Sequence, residues 1–167
     1  GVLQRDGKKL TVDIKTMNEP ARVKMVTIMV TQMRKLGIDA KISTQEVGTW
    51  VADLQSGNTG LFMDFAYSGP TGLHAMFHSD NAGISNAHFY KNPAVDALLD
   101  KGSVTIDPEA REAIWLEAQR QIMEDAPIIP LYFEFGYTAC DARVNDFIPQ
   151  QWNLNLVSDE NNVWLNR

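Results

Sequence analysis

Residues 8–67 alternate between strand-like and helix-like patterns, and this alternation limits the fold more than any other feature of the sequence. The first strand-like stretches alternate apolar and polar residues, and the last is an apolar, aromatic run typical of an interior strand. The helix-like stretches place apolar residues three or four positions apart. In chain order these segments are 8–15, 18–36, 38–44, 48–56 and 61–67. A β-α-β-α-β series predicts an α/β fold whose strands are joined by right-handed crossovers.

Local signals predict where the first elements begin and end. Asp6-Gly7 between two strand-like runs predicts a tight hairpin turn, since both residues tolerate a positive φ. Asn18 is the predicted N-cap of the first helix, with Pro20 in its first turn. Gly37 follows the last apolar residue of that helix and supplies its C-cap.

The second half of the chain predicts two helices and then a pair of strands. The helices cover about 93–101 and 108–125, and Asp107 caps the second of them. Residues 127–135 and 137–143 are predicted to pair as strands, and Pro130 makes the first of them an edge or irregular strand.

The last segment, residues 145–167, is polar and rich in asparagine. Its large apolar groups include Trp152 and Trp164, which need a surface to pack against. We therefore divide the chain into an α/β lobe, residues 1–144, and a C-terminal tail, residues 145–167.

Charge and composition exclude some classes of protein. A formal net charge of -6 with scattered basic residues argues against a nucleic-acid-binding surface. No apolar run approaches the roughly 18–20 residues that span a bilayer. No signal peptide is recognisable, so a secreted protein would be represented here by a mature or truncated chain. The single cysteine, Cys140, lies in a strand-like stretch, and we expect it to be a small, half-buried side chain.

Few residues form a pattern that indicates catalysis. The sequence contains neither a Gly-x-Ser-x-Gly motif nor a glycine-rich phosphate loop. His74 and His78 stand four residues apart, and Asp80 or His88 could complete a metal site, but the zinc-protease pattern requires a glutamate between the histidines. We expect polar loop histidines, no metal and no cofactor. A hydrolase that uses His74 or His78 with Asp80 is the enzymatic alternative.

The apolar stretch 62–67 contains one acidic residue, Asp64. Burying a carboxylate without a partner is costly, so Asp64 is expected either at the exposed end of a strand or beside a ligand cleft. Open α/β sheets bind ligands at the carboxyl ends of their strands, and a Gly-Pro-Thr-Gly loop follows this one. The residues leave two interpretations open, a binding site at this edge or an ordinary core followed by a turn.

Three segments resemble the C-terminal lobe of the dipeptide- and oligopeptide-type solute-binding proteins. They contain a Tyr-x-Asn-Pro-x-Val-Asp-x-Leu pattern from Tyr90 to Leu98 and an Ala-Pro-x-x-Pro-Leu pattern from Ala126 to Leu131. In chain order the segments are 9–46, 76–99 and 107–132. Their order and spacing match the family over most of residues 8–150.

The resemblance implies a periplasmic-binding-protein-like lobe of type II, in which a mixed sheet is flanked by helices. It also implies a binding module and not an enzyme. Such proteins capture a peptide or related small molecule for an ABC-type importer, close two lobes on it by hinge motion, and deliver it to the permease in the cell envelope of a bacterium. This chain would then supply most of one lobe. Its tail would return toward the missing N-terminal lobe, and the fragment would tend to self-associate.

The same resemblance implies which residues contact the ligand. In peptide binders of the family, the segment matching residues 64–70 carries a Gly-Trp pair and then an Asp that holds the peptide α-ammonium. Here Phe65 stands at the Trp position and Ser68 on or near the Asp position. Phe65, Tyr67 and Ser68 are expected to line the cleft, and Asp64 could take over the ammonium. The ligand is then a peptide, or another solute such as a sugar, an opine or a metal chelate. An autonomous α/β interaction domain is the alternative to this whole interpretation.

Overall fold

The computed structural model describes four stretches of the chain, residues 1–64, 69–133, 137–148 and 162–166. The chain divides into two compact units, residues 1–129 and residues 130–167. In chain order the elements are β1 (Gln4–Arg5), β2 (Lys8–Lys9), β3 (Thr11–Met17), α1 (Pro20–Lys35), β4 (Asp39–Gln45), α2 (Val47–Ser56), β5 (Leu61–Phe62), α3 (Gly69–Phe77), a 3₁₀ turn (Ser79–Asn81), α4 (Pro93–Val104), α5 (Pro108–Asp125), β6 (Val144–Asn145) and β7 (Trp164–Leu165). Across these described ranges, every helix is too short or too polar to span a bilayer.

The main sheet of residues 1–129 has the strand order β4-β3-β5, and both of its pairings are parallel. Ile14 of β3 lies opposite Ile42 of β4 and Leu61 of β5. This arrangement confirms the α/β class and the parallel pairing that the β-α-β-α-β pattern predicts. The antiparallel pairs β1-β2 and β6-β7 are separate from this sheet.

The ends of the first elements follow the local signals, with one correction. Asp6 and Gly7 adopt φ values of 53° and 75° in the β1-β2 hairpin, as predicted. Helix α1 ends before Gly37, whose φ is 81°. The predicted N-cap at Asn18 is wrong, because Glu19 occupies that position. Asn18 instead directly follows β3, and its backbone N–H donates to the carbonyl of Gln45 at the end of β4.

Two main hydrophobic cores stabilise residues 1–129. The first joins α1 to the sheet, and its buried members are Ile14, Val26, Val30, Ala40 and Met63. The second joins α3, α4 and α5, and its buried members are Met76, Phe77, Val95, Leu99, Trp115, Ala118 and Ile122. A smaller cluster of Trp50, Leu54 and Ala87 includes the buried face of α2.

Helices α4 and α5 begin as the sequence predicts. The side chain of Asn92 accepts from the N–H of Ala94 at 3.0 Å, and Asp107 accepts from the N–H of Ala110 at 2.8 Å. Each cap satisfies a backbone donor that the first helical turn leaves without an intrahelical partner. Both helices then start with a proline, which is favoured at the first helical position.

Residues 130–167 depart from the sequence prediction. Residues 127–133 and 137–143 are not strands, and the described residues 130–133 and 137–143 are exposed. Alternation indicates a strand only where one face is buried, and here neither face is. Cys140 is likewise exposed and not half-buried. Trp164 in β7 is partly exposed and its indole N–H donates to Asp146 at 2.7 Å, whereas Trp152 lies outside the described residues.

Candidate functional site

Asp64 follows β5 near the edge of the sheet where the parallel strands end. Its side chain is 23% exposed, and its Oδ1 lies 3.7 Å from Nη1 of Arg22. Arg22 stands in the first turn of α1, and its Nε donates to Oε2 of Glu19 at 2.8 Å. The guanidinium therefore provides the opposite charge that a largely buried carboxylate requires.

The other predicted ligand-contact residues, Phe65, Tyr67 and Ser68, lie outside the described residues. Their role stays a prediction. The Gly-Pro-Thr-Gly segment that follows is not a loop, because Gly69 opens α3 and Gly72 is already buried within it. Helix α3 therefore starts directly after Ser68, the last of the predicted ligand-contact residues.

Phe62, two residues before Asp64, belongs to a stack of aromatic rings. The ring of His88 stacks on Phe62 with centroids 5.5 Å apart, and on Phe77 with centroids 5.8 Å apart. Burial between these rings lowers the pKa of His88, because the apolar surroundings disfavour the imidazolium. His88 is therefore a packing residue at this position and is held neutral.

Sequence reasoning missed a polar network between β3, β4 and α2. Oδ2 of Asp53 accepts from Nε2 of Gln45 at 2.7 Å and from Nζ of Lys15 at 2.6 Å, while its Oδ1 accepts from Nδ2 of Asn58 at 3.0 Å. The amide of Gln45, followed by Lys15 and Asn58, lowers the pKa of Asp53 to about 2. The network fixes α2 against the carboxyl half of β3 and β4. Because its members are up to 43 residues apart, no local pattern indicates it.

Two of the segments that carry the family resemblance, 76–99 and 107–132, contact each other through hydrogen bonds. Oδ2 of Asp125, at the end of α5, accepts from the hydroxyl of Tyr90 at 2.6 Å and from Nδ2 of Asn92 at 2.8 Å. Asn92 also caps α4, so one residue joins the start of α4 to the end of α5. The Tyr-x-Asn-Pro pattern thus has a structural role that does not require a ligand.

Asn86 holds the loop that precedes this motif. It is fully buried, and its side-chain amide donates to the carbonyls of His78 and Tyr90 while its carbonyl accepts from the N–H of Tyr90. A buried amide that satisfies three backbone groups replaces the hydrogen bonds that regular secondary structure would supply. The sequence identified Asn86 only through the resemblance.

This α/β architecture, a parallel sheet flanked by helices, is that of a periplasmic-binding-protein lobe. The chain is similar in sequence to several peptide-binding proteins, among them periplasmic ones. The periplasmic murein peptide-binding protein MppA of Escherichia coli is 33% identical over 115 residues, which are 64% of this chain and 20% of MppA. The oligopeptide-binding protein AppA of Bacillus subtilis is 26% identical over 153 residues, which are 88% of this chain and 28% of AppA. No protein-family model matches the chain.

Solved structures of periplasmic binding proteins resemble the fold of this chain. The ABC transporter-associated periplasmic binding protein DppA from Helicobacter pylori, in complex with the peptide STSA, superposes with a TM-score of 0.61 at 27% identity, over 70% of this chain and 24% of DppA. The Escherichia coli murein tripeptide-binding protein MppA superposes with a TM-score of 0.65 at 25% identity, over 74% of this chain and 25% of MppA. The resemblance drawn from the sequence is confirmed, and the chain spans roughly a quarter of these relatives' length.

Proposed function

We propose that this chain is one part of a solute-binding protein that captures a peptide or related small molecule for an ABC-type importer. The chain supplies one wall of the ligand cleft, a second lobe supplies the other, and the closed protein delivers the ligand to membrane permease subunits. It works in the periplasm or an equivalent extracytoplasmic compartment of a bacterium. Its homology to periplasmic peptide-binding proteins is the observation that carries this proposal.

The position of Asp64 supports a cleft at the carboxyl edge of the sheet. Ligands of open α/β sheets bind outside the carboxyl ends of the strands. Asp64 follows β5 at that edge, and Arg22 reaches it from the first turn of α1. Phe65, Tyr67 and Ser68 follow Asp64 directly in the chain, so residues 64–68 form the proposed ligand-contact segment.

The charged pair favours a ligand that carries an ammonium group. An ammonium placed beside Asp64 would share the carboxylate with Arg22 and would gain a charge-assisted hydrogen bond. The α-ammonium of a peptide meets this requirement, whereas a neutral sugar does not. We propose Asp64 as the residue that holds it.

The domain boundary is part of the proposal. Residues 1–144 form the lobe, and residues 145–167 return toward the second lobe, where Trp152 and Trp164 pack. A two-lobed protein of this kind closes on its ligand by hinge motion.

Calorimetry on the protein expressed from the complete reading frame tests both the class and the ligand. Short peptides with a free amino terminus are compared with the same peptides acetylated at that terminus. We expect acetylation to weaken binding, and Asp64→Asn to weaken binding of the free peptides alone. Removing one partner of a buried charge pair costs about 2 kcal/mol or more, which is roughly 30-fold in affinity.

Asp13→Asn is the matched control. Asp13 is an exposed carboxylate of β3 that accepts from the hydroxyl of Ser43, so its loss should leave peptide affinity unchanged. Equal affinity for free and acetylated peptides would contradict the proposed role of Asp64 but not the assignment to the class of solute-binding proteins. Absence of binding to peptides, sugars, opines and metal chelates alike would contradict solute capture itself.

A further inference from the structure

Two histidines and one aspartate converge on the surface between α3 and α4. His74 lies in the last turns of α3. His78 is four residues further along the chain and directly follows that helix. Their rings stack with centroids 4.6 Å apart and an interplanar angle of 11°. Asp100 of α4 faces both rings, and its Oδ1 lies 3.4 Å from Nε2 of His74 and 3.3 Å from Nε2 of His78.

The two separations from Oδ1 of Asp100 match those of ligands around one metal ion, and rotation of the stacked rings about their Cβ–Cγ bonds would aim both Nε2 atoms at that ion. Two donors bound about 2.0–2.1 Å from a tetrahedral zinc ion lie roughly 3.3–3.4 Å apart. One ligand atom from each of His74, His78 and Asp100 lies within 4.8 Å of the others. Two imidazoles and a carboxylate leave one tetrahedral position for water or an outside ligand.

The buried imidazole of His78 gives an independent indication. Its side chain is only 10% exposed, and within the described residues its Nε2 makes no hydrogen bond of acceptable geometry. A buried polar atom without a hydrogen bond is costly. This atom points toward Asp100, where a cation bridging the two would satisfy it.

Hydrogen bonds around the cluster hold the segment after α3 in place against α3 and α4. The N–H of Ser79 donates to Oδ1 of Asp96 at 2.9 Å, one helical turn before Asp100. Nδ2 of Asn81 donates to the carbonyl of His74 at 3.0 Å. The segment that carries His78 is therefore attached to both helices, and the cluster does not depend on a mobile surface side chain alone.

We propose that His74, His78 and Asp100 form a binding site for a divalent transition-metal ion of the zinc class. Imidazole nitrogen and carboxylate oxygen suit Zn²⁺, Co²⁺ and Ni²⁺ better than the oxygen-seeking Mg²⁺ and Ca²⁺. His74 and Asp100 are 33% and 66% exposed, so a hydrated ion reaches the site from solvent. This site is separate from the proposed peptide contact at Asp64.

Binding through Nε2 places the imidazole proton of His78 on Nδ1. The N–H of Asp80 now donates to Nδ1 at 3.2 Å, which assigns the proton to Nε2. Once protonated, Nδ1 no longer accepts from the N–H of Asp80, so that hydrogen bond is lost. Oδ2 of Asp80 lies 3.9 Å from Nδ1, and a movement of this side chain gives the relocated proton a carboxylate acceptor. A carboxylate behind a metal-bound histidine is a common outer partner that orients the ring. The proton exchanges between the two ring nitrogens through solvent, so the ring carries one N–H before and after the change.

Sequence spacing identified the two histidines but not their third partner. The candidates were Asp80 and His88, and His88 instead stacks between Phe62 and Phe77. Asp100 is 26 residues from His74, and only the packing of α3 against α4 brings it there.

Calorimetric titration of the chelator-treated 167-residue chain with ZnCl₂ tests the site. We expect one ion per chain, and at least about 100-fold weaker binding in His78→Gln and in Asp100→Asn, because even outer-shell partners contribute roughly 10–100-fold. Asp100 is exposed, so Asp100→Asn remains informative if the buried His78 variant does not fold. Asp80→Asn should lower zinc affinity by about 10-fold or more and leave one ion per chain.

His88→Phe and Glu112→Gln are the controls, since each removes a group of the same chemistry outside the cluster. Both control variants should bind zinc as tightly as the parent protein does. In a separate measurement, Co²⁺ bound to the parent protein should give the intense visible absorption of a tetrahedral complex. Unchanged zinc affinity in Asp100→Asn, or an octahedral Co²⁺ spectrum, would overturn the proposal. Asp64→Asn should bind zinc normally whether or not peptide binding survives, so the two proposals fail separately.

Discussion

The hydroxyl of Tyr90 donates a hydrogen bond of 2.6 Å to Oδ2 of Asp125, a residue 35 positions away at the end of α5. Burial, followed by this bond to an anion, raises the pKa of Tyr90 to about 12. The same bond lowers the pKa of Asp125. The contact joins two of the segments through which the chain resembles the peptide-binding proteins, so the match between those segments reflects packing as well as ligand recognition.

Replacing Tyr90 by Phe tests this contact. The variant loses one hydrogen bond to a solvent-exposed carboxylate while Asn92 remains bound to it, so we expect a loss of about 1 kcal/mol in the free energy of unfolding. Urea denaturation measures it, with Tyr137→Phe as the control because Tyr137 is 93% exposed. A double-mutant cycle with Asp125→Asn should show coupling between the two sites, and additive effects would contradict the contact.

Asn86→Ala should be more damaging than its position in a loop suggests. The substitution leaves the carbonyls of His78 and Tyr90 and the N–H of Tyr90 without their buried partner. We expect a loss of about 2–3 kcal/mol in the free energy of unfolding. Asn18→Ala, at an exposed asparagine, should stay within about 0.5 kcal/mol. Equal stability of the two variants in denaturant titrations would show that Asn86 does not hold the loop.

Gly102→Ala should destabilise the chain although alanine favours helices. A Cβ at Gly102 of α4 would lie 2.8 Å from Cε2 of Trp115 in α5, which is a clash within a packed core. Overpacking costs about 1–3 kcal/mol, against roughly 0.5–1 kcal/mol gained in helix propensity. Gly48→Ala in α2 meets no atom within 4 Å and should show the gain alone. Thermal melts should therefore shift in opposite directions for the two variants, and a shared upward shift would refute the close packing of α4 on α5.

The network at Asp53 predicts a pH dependence of stability. The folded state lowers the pKa of Asp53 from 3.8 to about 2, so the folded state favours the ionised form. Its stabilising contribution is therefore complete above about pH 4 and disappears as the pH falls toward 2. Asp53→Asn should be less stable than the parent at pH 7, and the difference should narrow between pH 4 and pH 3. Urea denaturation across this range gives the comparison, and a constant difference would contradict the shifted pKa.

Sequence patterns predicted the local elements well because the rules behind them are local. The 3.6-residue period and the caps at Asn92 and Asp107 specify α4 and α5 without reference to the rest of the chain. The hairpin at Asp6-Gly7 follows from the tolerance of these two residues for positive φ.

Failures occurred where a pattern depends on what lies opposite it. Strands were predicted at 127–135 and 137–143, yet the described residues there form none, because a strand requires a paired neighbour and a buried face. Asn18 resembled a helix cap, but its backbone N–H bonds to Gln45 at the end of β4, and the helix begins one residue later than predicted.

The sequence by itself therefore determined the order of the elements through β5, helices α4 and α5, the parallel sheet and the resemblance to solute-binding lobes. Only the tertiary structure decided which distant side chains meet: Asp64 with Arg22, Asp53 with Lys15, and Asp100 with the two histidines. Contacts between side chains that are distant in sequence depend on the register and packing of whole helices and strands. The combined burial of many apolar residues sets this packing, and no short stretch of sequence encodes it.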